Sequence, residues 1–193
     1  MNTKQLKRGF TLVELVVVLG ILAILATVTL LVLNPAQMFA QARDSQRVSD
    51  LSTLNSAISL YLSTATTTQM YGSTGSCSNC FNYGNTQAAN CLGRHSGTSQ
   101  GINSRAVDQS GWIGVNFNMA TGGAPISALP TDPSSSGNLF YSYACDNTNK
   151  TFELDADMES TRYASSGAND KESTDGGSSS SVYEVGNDPG LDL

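Results

Sequence analysis

The stretch KRGFTLVELVVVLGILAILATVTLLVL, residues 7–33, decides how the whole chain is read. From Phe10 to Leu33 it is almost continuously apolar. As a helix rising 1.5 Å per residue, that run spans about 36 Å, enough for a hydrocarbon core of about 30 Å. One residue breaks the pattern. Glu14 lies four residues into the run, where an ionised carboxylate costs roughly a few kcal/mol or more. An acid in that position calls for a function and a partner.

The residues on either side set the orientation. Lys4, Lys7 and Arg8 precede the run with no acid among them. The positive-inside rule keeps residues 1–9 in the cytoplasm and sends the C-terminal bulk outward. Net charge is −6, and from Thr131 onward acids greatly outnumber bases. Outside the short leader, this balance offers no basic footprint for nucleic acid or anionic lipid. The chain has four cysteines, Cys77, Cys80, Cys91 and Cys145. In an oxidising compartment an even number favours two disulfides. Three pairings are open. Cys77–Cys80 would close a short ring, and Cys91–Cys145 would tie a loop region to a hairpin.

Beyond Leu33, Pro35 removes a helical hydrogen bond, so a kink or break is expected at Asn34-Pro35. An amphipathic stripe follows: Val48, Leu51, Leu54, Ile58 and Leu62, at spacings of three and four. Asp44–Arg47 and Arg47–Asp50 have the spacing of i,i+3 ion pairs. The pattern predicts one long helix over about 10–63, its first half in lipid and its second half docked on a globular domain. Residues 64–111 read mostly as loop, rich in Gly, Ser, Thr and Asn. GWIGVNF (111–117) reads as a strand or a short packed turn, and LPTDP (129–133) as turn chemistry. NLFYSYAC (138–145) and TFELDADM (151–158) alternate with period two, and DNTNK between them predicts a hairpin loop. Residues 165–181 are polar and of low complexity, and SVYEV (181–185) reads as a last short strand.

Three readings compete for the N-terminus. A secretory signal would use Ala40-Gln41-Ala42 as its cleavage site, but the apolar run exceeds the usual h-region of about 7–15 residues. An uncleaved anchor fits length and charge and leaves Glu14 unexplained. The third reading rests on a resemblance. KRGFTLVELVVVLGILAIL (7–25) resembles the class III signal of type IV pilins and type II secretion pseudopilins: Gly9 before the cut, Phe10 as the new N-terminus, Glu14 four residues later, bases before and an apolar helix after. The resemblance implies a prepilin peptidase that cuts after Gly9 and methylates the Phe10 amine. It implies a helix held in the membrane and then extracted into a filament, where Glu14 pairs with the Phe10 amine of a neighbouring subunit. Thr11 offers a hydroxyl nearby. An unpaired carboxylate would penalise a wrong offset between apolar helices, so the pair would set register more than stability. GWIGVNF, LPTDP, NLFYSYAC, TFELDADMES and YEVGNDPG resemble the C-terminal half of pseudopilin-like subunits. Many pilins place a helix-bending proline where this chain has Leu31; here Pro35 comes a turn later.

Other candidate sites are weaker. CSNC (77–80) has the spacing of a redox dithiol but lies among Ser, Gly and Asn rather than at a helix start. Four cysteines are also the donor count of a zinc site. Glu153, Asp155, Asp157 and Glu159 share one face of a strand and read as a solvated face. Calcium is the sharper reading of the acidic half, with oxygen ligands from Asp170, Asp175 or Asp188. His95, the only histidine, reads as a surface-loop residue. With Ser96 and an acid it has the residue types of a triad, yet no nucleophile elbow surrounds it.

The expected fold is α+β, a long N-terminal helix packed on a small antiparallel sheet. Residues 1–9 form the leader, 10–35 the membrane or filament-core helix, 36–63 the docked helix, and 64–193 an extracytoplasmic head with a loop-rich part (64–111) and a sheet (112–193). The expected function is that of a non-enzymatic subunit of a type IV pilus-like filament or secretion pseudopilus, with no cofactor beyond the calcium alternative. Expected partners are further copies of itself and other pilins, the peptidase, an assembly platform membrane protein and its ATPase. Expected location is the cytoplasmic membrane, then a surface filament. The competing reading is a membrane-anchored surface domain that binds a ligand and never polymerises.

Overall fold

The structure is a computed structural model that describes residues 9–71, 76–84, 90–95 and 97–193. The leader bases Lys4, Lys7 and Arg8, and Ser96, lie outside the described residues. The chain divides into two units, one ending at Met38 and one spanning Phe39–Leu193.

Helix α1 covers Leu12–Leu33, 22 residues. Its apolar side chains are exposed all round, as expected of a helix whose solvent is lipid or other helices. By length and composition it can cross a membrane. Its two threonines do not disrupt it: Thr27 Oγ1 donates to Ala23 O at 2.8 Å and Thr29 Oγ1 to Leu25 O at 2.8 Å. The helix ends at Asn34, which adopts the left-handed conformation (φ 38°), a conformation asparagine tolerates better than most residues. Pro35 then starts helix α2, Pro35–Thr64, at the first helical position, where its missing N–H costs nothing. The helical run expected from the sequence is thus present, with a break at Asn34 where one was expected.

Five strands form one sheet in the order β2-β1-β3-β4-β5: β1 Asn79–Asn82, β2 Thr98–Gly101, β3 Tyr141–Asp146, β4 Thr151–Ala156 and β5 Tyr183–Gly186. The expected α+β arrangement is present. Three of the four pairings are antiparallel, as expected, while the pair β1–β2 at one edge runs parallel. Strands β1 and β2 both fall in the stretch expected to be loop. NCFN and TSQG are four residues long and mostly polar, too short to carry a period-two signal. Helix α3 is a single turn, Asn90–Gly93.

The sheet's inner face carries Phe81, Tyr141, Tyr143, Phe152 and Leu154, packed in one core with Leu51, Leu54, Ala57, Ile58 and Tyr61 of α2. GWIGVNF is a packed turn, not a strand, and places Trp112, Ile113, Val115 and Phe117 in the same core. Trp112 Nε1 donates to Pro130 O at 3.0 Å, so the buried indole is satisfied. The β3–β4 hairpin turns where DNTNK predicts: Asp146 Oδ1 accepts the Thr148 amide at 2.6 Å.

The stripe of α2 that is buried differs from the apolar one read in sequence. It runs Ala40, Asp44, Arg47, Leu51, Leu54, Ile58 and Tyr61, alternating by four and three. Val48 and Leu62 flank it half-buried. Two of its members are charged. Arg47 is fully buried and grips Asp132 with both arms, at 2.7 and 2.9 Å. Its Nη1 also donates to Asp44 Oδ1 at 2.7 Å and Glu159 Oε2 at 2.9 Å. Asp44 accepts the amides of Glu159 and Ser160 at 2.9 and 2.8 Å. This network fastens α2 to the LPTDP turn and to the segment after β4. The expected Arg47–Asp50 pair is absent from it; Asp50 instead accepts the Tyr141 hydroxyl at 2.8 Å.

Candidate functional site

The N-terminal segment is built around two residues. Thr11 is the N-cap of α1 and Glu14 is its third helical residue, the spacing of a capping box. The Glu14 amide donates to Thr11 Oγ1 at 3.2 Å. In return Glu14 Oε2 accepts the Thr11 amide at 2.9 Å and the Thr11 hydroxyl at 2.8 Å. Among the described residues Glu14 Oε1 receives no hydrogen bond. The box meets two of the helix's first unpaired groups and part of the carboxylate's demand within a single chain. It also explains Thr11, which the sequence marked only as a nearby hydroxyl. Gly9 and Phe10 precede the helix, both exposed, with Phe10 81 % exposed. The bond between them thus lies outside regular secondary structure, just ahead of a capped helix.

All four cysteines are paired, Cys77 with Cys145 and Cys80 with Cys91, across sequence separations of 68 and 11 residues. This pairing contains neither the short ring nor the Cys91–Cys145 tie. The first joins the approach to β1 with β3; the second joins β1 with α3. Neither CSNC cysteine bonds the other, so the redox and thiolate-zinc readings both fall.

The outer face of the sheet corrects the sequence reading most. Glu153 and Asp155 are not solvated but fully buried, and His95 is 4 % exposed rather than a surface residue. The alternation of β4 correctly separated two faces. It carried no sign that loops cover the polar one. Segment 90–95 forms that cover. It is anchored by the Cys80–Cys91 disulfide and by Arg94, which donates to Phe140 O at 2.8 Å and Asn138 O at 2.6 Å and pairs with Asp157 at 2.9 Å. The Arg94 guanidinium also lies 4.1 Å from the Phe140 ring centroid. Glu159 belongs to the Arg47 network, so none of the four acids is a free surface charge.

His95 is thereby set against β4, its Nε2 2.9 Å from Asp155 Oδ2 and its Nδ1 3.9 Å from Glu153 Oε1. Glu184 of β5 is opposite Asp155 in register and also buried. Gly177 lies so close that a Cβ there would meet the Glu184 carboxylate. Burial, and then the Asp155 charge, pushes the Glu153 carboxyl well above its ordinary value; burial and the same neighbour push Glu184 up. The sequence showed each of these residues, but β5 and segment 90–95 are far apart in the chain and only the fold joins them.

The calcium candidates are engaged in their own turns. Asp170 accepts the amides of Ser166 and Ser173 at 2.7 and 2.9 Å. Asp175 accepts those of Gly177 and Glu184 at 3.0 and 2.7 Å. Asp188 accepts the Asp192 amide at 3.4 Å.

Residues 4–30 match the prokaryotic N-terminal methylation motif. No curated protein and no solved structure matches the chain.

Proposed function

We propose that this chain, which carries the prepilin signal of type IV pilins and pseudopilins, is a structural subunit that polymerises through α1 into an extracellular filament. One observation carries the reading: a methylation motif continuous with a capped helix whose apolar side chains are exposed on every side. A prepilin peptidase cuts between Gly9 and Phe10 and methylates the new amine. The monomer waits in the cytoplasmic membrane with its head outside. A platform protein and an ATPase then drive it into the filament. The apolar surface of α1 passes from lipid to the α1 helices of neighbouring subunits, so it is never left in water.

Glu14 acts at the transfer. In the monomer the Thr11 box supports one carboxylate oxygen. In the filament the Phe10 amine of a neighbour, with a reference pKa of about 8 and so mostly cationic, reaches the other oxygen. The pair sets the axial offset between helices, since any other offset leaves a charge unpaired in an apolar core.

The test is Glu14→Ala as the sole copy of the subunit. Cleavage and membrane level stay as in the wild type, while filaments counted by electron microscopy are lost or irregular. Filaments of normal number and length would refute the pairing. Glu14→Gln, which keeps the size and can still accept from Thr11, behaves like Glu14→Ala if charge is what matters.

A further inference from the structure

We propose that His95, Glu153 and Asp155 bind one divalent transition-metal ion of the zinc class on the outer face of the sheet. The site does not depend on the filament reading; it belongs to the head alone.

The geometry points to it in four ways. First, the donors are present and unengaged. All three side chains are completely buried. Yet both ring nitrogens of His95, Glu153 Oε1 and Asp155 Oδ1 have no hydrogen-bond partner among the described residues. Even at 2.9 Å, the His95 Nε2–Asp155 Oδ2 approach lacks hydrogen-bond alignment. Buried polar atoms are normally paired, and a cluster of four that are not calls for a missing ligand.

Second, the other oxygens are already held. Glu153 Oε2 accepts the Leu193 amide at 3.0 Å, and Asp155 Oδ2 is 3.3 Å from the Ser142 hydroxyl that donates to it. These contacts orient each carboxylate and leave the second oxygen for an ion, as outer-shell partners do in metal sites.

Third, the ligand atoms lie within 4.8 Å of one another. Tetrahedral ligands with metal bonds of about 2.0–2.1 Å stand about 3.3 Å apart. A closure of roughly 1–1.5 Å therefore completes the site. Glu184, across the β4–β5 register, or a water supplies the fourth ligand.

Fourth, charge favours it. The buried carboxyl groups of Glu153, Asp155 and Glu184 face one imidazole, and a divalent cation would offset the charge they carry when ionised. The nitrogen ligand selects zinc, cobalt or nickel over calcium and magnesium, which take oxygen. Thiolates do not compete, because all four cysteines are oxidised. The ion would join segment 90–95 to β4, the connection that Arg94 and the Cys80–Cys91 bond make from either side.

The test uses the untagged full-length protein in detergent, stripped with a chelator and dialysed against zinc chloride. One zinc per chain is expected, with a rise in Tm of roughly 5–10 °C when zinc is 100-fold above its dissociation constant. Cobalt in place of zinc gives visible absorption bands of a tetrahedral nitrogen–oxygen site. His95→Gln and Glu153→Gln keep volume and polarity; each abolishes the bands and the Tm rise while both disulfides form. Both variants are checked by circular dichroism, and the cobalt spectrum of the wild type stands even if one fails to fold. Absence of stoichiometric metal, binding unchanged in both variants, or stabilisation by calcium but not zinc would each overturn the assignment.

Discussion

Glu159 is received by two arginines, Arg43 at 2.6 Å and Arg47 at 2.9 Å. Hydrogen bonds from Arg43 first, and then from Arg47, hold its carboxyl below the ordinary value. A carboxyl lowered on folding stabilises the fold above its unfolded pKa, about 4.3, and that contribution drains away as pH falls through the folded value. Glu159→Gln should therefore cost about 1–3 kcal/mol at pH 7 and flatten the acid limb of a stability–pH curve below about pH 5. Denaturant melts from pH 3 to 7 check it; an unchanged acid slope would show that the pair adds nothing. At this scale the sequence was uneven. Glu14 stood out because everything around it was apolar, so its oddity was local. Arg47, His95 and Glu153 did not, because charged side chains among polar neighbours look solvated until the tertiary fold covers them. A stripe counted in apolar residues alone passed over Asp44 and Arg47, although both fall on the buried period of α2.

The elements were easier to foresee where they were long. Helix α2 announced itself through Leu51, Leu54 and Ile58, all completely buried. Leu54→Ala or Ile58→Ala should each lower head stability by about 2–5 kcal/mol. Thermal melts that move in neither variant would contradict the docking of α2 on the sheet. β3 and β4 were legible because six-residue alternation on both sides of a turn is a strong signal. The four-residue strands β1 and β2 were not, and the disulfide pairing was not, since spacing alone cannot choose among three connectivities. The pairing now ranks the two bonds. Loops of 68 and 11 residues differ in closure entropy, giving about 4 and about 3 kcal/mol respectively in the chain-entropy picture. Replacing Cys77 and Cys145 together by serine should thus depress the midpoint of unfolding more than replacing Cys80 and Cys91. The reverse order would mean that anchoring of segment 90–95, not chain entropy, dominates.

As a whole the molecule joins two units built for different surroundings. In the one ending at Met38, helix α1 presents a mostly apolar surface and a capped carboxylate; the other, Phe39–Leu193, has its own core, two disulfides and a buried polar face. By length and composition α1 suits lipid and, in the proposed function, a filament interior; two disulfides suit an oxidising compartment. The helix break at Asn34-Pro35 was visible in sequence, as was the class III signal, because both are local chemistry. What the head does to its surroundings was not, because its polar face is assembled from distant segments. Mass spectrometry of filaments sheared from cells tests the central claim most directly, since it reads processing and polymerisation together. The account predicts that the sheared fraction contains this chain with N-methylated Phe10 at its N-terminus. A chain beginning at Arg43 and released singly, or a full-length chain confined to the membrane and absent from the filaments, would contradict it.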